Sequence, residues 1–154
     1  MRNFNSAEEL KQVLGGFFQH VVRKGLVEDD PVVGPPARDL NDTNLVVHFA
    51  MRDPDLLIII DCEERPIRVG FGDEIPKTPT ATFYVTALDG HRFWLGDLNI
   101  PNALLRKRVV LKGPVNRLLK VLPIARRCFP IYRNYLAENG HADFQLDREK
   151  GEGE

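Results

Sequence analysis

Leu45-Val46-Val47-His48-Phe49-Ala50-Met51, Arg52-Asp53-Pro54-Asp55, Leu56-Leu57-Ile58-Ile59-Ile60-Asp61-Cys62, Glu63-Glu64-Arg65-Pro66 and Ile67-Arg68-Val69-Gly70-Phe71 follow one another without a break, and this stretch decides the fold. Leu45, Val47, Phe49 and Met51 fall on one side of an extended chain, the period-two signature of a strand with one buried face. Leu56 to Cys62 is apolar on both sides, as a centrally placed strand requires. Ile67 to Phe71 alternates again. The connectors between these runs are far too short for a parallel crossover, so the spacing predicts an antiparallel meander.

Outward from the meander the period changes. Upstream, Ser6-Ala7-Glu8-Glu9 has the form of a capping box, and Leu10, Val13, Leu14, Phe17 and Val21 recur at helical spacing to about Lys24. Glu28 to Asn44, with Pro31, Pro35 and Pro36, reads as an irregular loop. Downstream, Ala81 to Ala87 alternates as a fourth strand. Asp89 is placed to cap a short helix with Phe93, Trp94 and Leu95 that Gly96 stops, and Pro101 opens a second short helix. Arg108 to Lys112 reads as a fifth strand. Gly113-Pro114 opens a longer helix that Pro123 and Pro130 are expected to kink or divide and Gly140 to end. Strands and helices cluster rather than alternate, which means α+β.

The chain has 154 residues, 43% hydrophobic and 28% charged, enough for one domain with its own core. Residues 1–140 are expected to form that domain, and the charged residues 141–154 a disordered tail. The longest apolar run, Leu56 to Ile60, is far too short to span a bilayer. The polar, partly acidic start is not a signal peptide, and the final Gly151-Glu152-Gly153-Glu154 carries no organelle address. The expectation is a soluble, cytoplasmic protein.

The formal net charge of -1 conceals an asymmetry: residues 1–90 carry -6, residues 91–137 carry +9, and residues 138–154 carry -4. Such a basic segment implies either solvated helix faces or an anionic partner. Cys62 and Cys128 match no metal or redox pattern and read as small buried hydrophobes. His20, His48, His91 and His141 have no ligand-type neighbours at helical spacing and read as surface or capping residues. No phosphate loop, dinucleotide fingerprint or nucleophile elbow is present. No metal, cofactor or catalytic residue is expected.

The basic segment is also the most apolar. Phe93, Trp94, Leu98, Leu104, Leu105, Leu118 and Leu122 alternate there with Arg106, Lys107, Arg126 and Arg127. Apolar helices with a cationic border suit an anionic membrane surface or the mouth of a lipid pocket. Within it, Phe93-Trp94-Leu95-Gly96-Asp97-Leu98-Asn99-Ile100-Pro101-Asn102-Ala103-Leu104 resembles the element of the sterol carrier protein 2 family written F-x-x-L-x-x-G-K-L-N-P-x-x-A. Val109-Val110-Leu111-Lys112-Gly113-Pro114 resembles that family's following strand, and Phe49-Ala50-Met51, Leu57 to Asp61 and Pro79 to Val85 occupy the places of its earlier strands. The chain departs from the pattern at Pro79-Thr80, Asp97 and Lys107.

The resemblance implies a mixed, largely antiparallel five-stranded sheet with helices over one face, enclosing an apolar tunnel. By the same resemblance Phe83, Val85, Phe93, Trp94, Leu98, Leu104, Leu105, Leu118 and Leu122 line that tunnel. Arg106, Lys107, Arg126 and Arg127 would meet an anionic headgroup or membrane. The implied function is non-catalytic binding and transfer of a sterol, fatty acid, acyl-CoA or isoprenoid-like lipid. An accessory protein-interaction module, such as one assisting isoprenoid quinone or lipid biosynthesis, is the alternative, and an enzyme using Cys128 or Asp61 is a third reading. Nucleic acid is not an expected partner, because the aromatics fall at core spacing. The residues leave the lipid and the oligomeric state open.

Overall fold

Residues 3–145 are described in the computed structural model of the protein. Five strands, β1 (Val46–Arg52), β2 (Leu56–Asp61), β3 (Arg68–Phe71), β4 (Ala81–Thr86) and β5 (Val110–Lys112), pair in the order β3-β2-β1-β4-β5. The first three form the expected meander, with Val47 opposite Ile60 and Ile58 opposite Phe71. β4 runs parallel to β1 and antiparallel to β5, so the sheet is mixed. Its helix-facing side chains Val47, Met51, Ile58, Ile60, Phe71 and Val85 join the main core. On the other face Val46, Ile59 and Ile75 make a small separate cluster, so β2 is indeed buried on both sides.

The helices cover the main-core face. An N-terminal helix spans residues 7–27, with π-helical turns at Lys11–Gly15 and Val22–Val27. The Ser6 half of its cap forms as expected, Ser6 Oγ accepting from the Glu9 N–H, while the Glu9 carboxylate accepts from the Asn5 N–H, one residue before the cap. Gly15 lets the helix approach the sheet, since a Cβ there would stand 2.6 Å from the Phe71 ring. The segment read as an irregular loop instead contains a helix, Gly34–Asn41. Pro35 and Pro36 occupy its first turn, where a missing N–H costs nothing. Asn41 fixes its end, donating to the carbonyls of Cys62 (3.0 Å) and Glu64 (2.9 Å).

The long helix Val115–Glu138 is continuous through Pro123 and Pro130. Both prolines lie on its exposed side. The carbonyls they leave unpaired, those of Leu119 and Arg126, belong to residues that also face solvent and can bond water there. The short helix Ala87–Leu95 is capped by Thr86, whose Oγ1 accepts from the Asp89 N–H. Asp89 is therefore inside the helix rather than its cap, and its carboxylate takes Arg108 in a bidentate pair at 2.6 and 3.2 Å.

His91 is not a surface or capping residue. It is fully buried, with Nδ1 2.6 Å from the Tyr132 hydroxyl and Nε2 3.0 Å from the Phe144 carbonyl. A carbonyl only accepts, so Nε2 carries the proton and Nδ1 accepts from Tyr132. This contact also corrects the tail expectation. Ala142–Phe144 is a 3-10 turn whose Phe144 ring is buried and stacked on Phe4 at 4.9 Å. The rest of the expected tail, residues 146–154, lies outside the described residues. His20 is buried too, against Tyr135.

Burial pushes the His91 pKa down from 6.5 to about 4. The unfolded chain then binds more protons than the native one between those values, so stability rises with pH across that window and is lost on acidification. His91 alone should give a slope approaching about 1.4 kcal/mol per pH unit below pH 6. Urea unfolding at several pH values should show His91→Gln less stable than wild type at pH 7 but with a flatter acid slope. Parallel slopes for the two proteins would rule out His91 as the source.

Candidate functional site: an apolar cavity under the sheet edge

The helices do not fill the space beneath β4 and β5. Phe83 and Val85 of β4 and Leu111 of β5 form its roof, with Phe49 of β1 at the back. Phe93, Trp94 and the small Gly90 enter from the Ala87–Leu95 helix. Leu98, Ile100 and Leu104 come from the next turn and helix, and Leu118, Leu122 and the small Ala125 from the long helix. The result is a cavity of about 140 Å³ with aliphatic, aromatic or glycine residues on every wall.

Local sequence sets these walls. Gly96 ends the Ala87–Leu95 helix at φ +80, a left-handed conformation that favours glycine. A Cβ there would also stand 2.9 Å from the Phe129 ring. Asn99 then caps the Ile100–Leu105 helix through the Asn102 N–H, with Pro101 in its first turn. This tight reversal turns Leu98 and Ile100 toward the cavity. At the back an aromatic cluster holds its shape: Phe49 stacks on Phe83 at 5.1 Å and on Phe18 at 5.6 Å, and Trp94 meets Phe18 edge-on at 5.2 Å. At the front, Leu104, Val115 and Leu119 line the cavity and are also exposed, so it reaches the surface between the Ile100–Leu105 helix and the long helix.

The structure brings Phe83, Val85, Phe93, Trp94, Leu98, Leu104, Leu118 and Leu122 onto this one cavity. Leu105 is not among its walls: it follows Leu104 in the same helix, roughly 100° further round, and projects into solvent. Phe49, Val109, Leu111, Val115 and Val121 line it without having been singled out, because their patterning is that of any core residue. The four cations do not form one rim. Arg127 turns away to Asp39 of the Gly34–Asn41 helix at 2.5 Å, while Arg106 donates to Asn102 at 3.2 Å on the mouth side. Lys107 takes a left-handed turn (φ 58), and Arg126 is exposed on the long helix.

The groups of the enzyme reading are occupied elsewhere. Asp61 is buried and pairs with Lys77 at 2.7 Å. Burial pushes the Cys128 thiol up to about 11 and the Cys62 thiol up to about 12, so neither is a thiolate at neutral pH. Among the described residues no group of three His, Cys, Asp or Glu side chains could hold a metal, and no helix is long and apolar enough to cross a membrane.

No protein-family model and no curated protein matches the chain. Solved structures do. Sterol carrier protein 2 from Yarrowia lipolytica, in its apo form, superposes with a TM-score of 0.56 at 16% identity, over 75% of this chain and 92% of that one. The sterol carrier protein domain 2 of Helicoverpa armigera gives 0.57 at 15% identity, over 73% and 86%. A UbiJ-SCP2 ubiquinone synthesis protein gives 0.52 at 12% identity, over 75% and 90%. The strand order, the helices on one face and these superpositions agree: this chain has the sterol carrier protein 2 fold.

Proposed function

We propose that this protein binds an apolar lipid chain in the cavity beneath β4 and β5 and carries or presents it without bond chemistry. The observation that supports this most is the lining itself: a surface-reaching cavity with no polar side chain on its walls. Such a space has nothing to offer a polar substrate, whereas each methylene it removes from water contributes about 0.8 kcal/mol. The fold shared with sterol carrier protein 2 structures supports the same reading.

Size limits the mode of binding. A cavity of about 140 Å³ is on the scale of the roughly 150 Å³ space that admits benzene. One end of an acyl chain, a sterol or an isoprenoid fits it as it stands. A longer ligand must emerge between Leu104 and Leu119 or part the two helices there. Hydrophobic contact discriminates weakly among such ligands. The shared fold of the UbiJ-SCP2 ubiquinone synthesis protein supports a second form of the reading, in which the ligand is an isoprenoid quinone precursor presented to partner enzymes.

Trp94, the only tryptophan of the chain, lines the cavity and reports on it. Titration with a fatty acid should shift its emission. Ala125→Leu, which fills the space without adding charge, should weaken that binding roughly tenfold or more. Leu122→Arg should weaken it further while folding, since Leu122 is only half-buried and an arginine there can reach water. Folded variants that bind as wild type does, or a wild type that neither responds nor takes up an apolar dye, would contradict the proposal.

A further inference from the structure

The large apolar side chains left in solvent are unevenly distributed. Val27 and Val32 stand at one corner, and Tyr84 and Val110 are paired across the outer face of the sheet. Three of the remaining four stand at the cavity mouth, Leu104 (38% exposed) on one wall and Val115 (65%) and Leu119 (59%) on the other, and the fourth, Leu105 (82%), follows Leu104 in the same wall helix and projects into solvent. Leu105 contributes nothing to the cavity or the core, so neither role accounts for an aliphatic side chain there.

Charge singles out the same place. Arg106 and Lys107 directly follow Leu105, and Arg126 lies seven residues beyond Leu119 on the same side of the long helix. None of the three makes an ion pair among the described residues. From residue 98 to residue 137 the sequence contains no Asp or Glu at all. The two helices that frame the mouth therefore present cations around an apolar centre, with no carboxylate of their own to oppose an anionic surface. On a chain of net charge -1 this is a directional feature rather than a general one.

We infer that the mouth face is a docking surface for an anionic lipid bilayer, with Leu105, Val115 and Leu119 entering the interface and Arg106, Lys107 and Arg126 meeting the headgroups. The inference rests on the lipid-binding reading and extends it: docking in this orientation sets the cavity opening against the source of its ligand. A bilayer fits the combination better than a protein does, since aliphatic tips inserting beside mobile cations need no shape complement.

Vesicle flotation tests this. Wild type should bind phosphatidylcholine–phosphatidylglycerol vesicles about tenfold or more tightly than pure phosphatidylcholine vesicles, with the difference shrinking as salt rises. Leu105→Asp, at a solvent-exposed site outside the cavity, should abolish flotation while leaving the Trp94 response to fatty acid intact. Val32→Asp, at an exposed site likewise outside the cavity, should change neither. The double variant Arg106→Glu, Arg126→Glu should lose flotation through charge alone. Equal binding to both vesicle types, equal loss from Val32→Asp, or a self-association of wild type that Leu105→Asp removes would overturn the docking surface, the last by showing a second copy as its occupant. Flotation as expected without any Trp94 response would leave the docking surface standing and overturn the lipid-binding reading instead.

Discussion

The buried hydrogen bond between Tyr132 and His91, 2.6 Å long, holds together the elements on which the cavity depends. It joins the Ala87–Leu95 helix to the long helix at a point where neither side chain meets water. The opposite nitrogen of His91 engages the Phe144 carbonyl, so the last turn of the described chain is fastened to the same centre. Each partner uses the role its chemistry permits, and an unmatched polar group in that position would be costly. Arg133 adds a second tie, donating to the Leu95 carbonyl and approaching Asp97.

These polar ties lie at one end of the helix pair. At the cavity mouth, Leu104 of the Ile100–Leu105 helix and Val115 and Leu119 of the long helix put apolar side chains on the walls. Packing there is non-directional and tolerates rearrangement better than a hydrogen-bonded network does. Gly90 and Ala125 put small residues on the cavity walls, Gly90 on the side toward Val85 and Met51 of the sheet, which leaves the space unfilled. A rigid closed end and a soft open end suit a site that takes in flexible apolar ligands and lets them go. This is how the fold supports the proposed function without a reactive group.

Much of the sheet is legible in the sequence because period-two patterning is a local signal: β1, β2, β3 and β4 each stand within a residue or two of where alternation puts them. The Gly34–Asn41 helix was obscured by Pro35 and Pro36, which look like breakers until their place in the first turn is known. The role of His91 is hidden in the sequence for a different reason. Its partners lie 41 and 53 residues away, and nothing near it in the chain announces them. The cavity was partly legible. Trp94 and Leu118 stood out through the family-like element and the helical apolar stripe. Phe49 and Val109 did not, because a wall facing a void has the same composition as a wall facing another side chain. Leu105 shows the converse: an apolar residue in an apolar helix stands in solvent, outside the cavity.

The central claim, that the space beneath β4 and β5 takes an apolar chain, is tested most directly by methyl NMR during titration with a medium-chain fatty acid. The account predicts shifts concentrated at Val85, Leu98, Val109, Leu118 and Leu122, which line the cavity, and none at Leu10 and Val13 in the remote core. Shifts confined to Val27 and Val32, exposed and outside the cavity, or none anywhere in the folded protein, would contradict it.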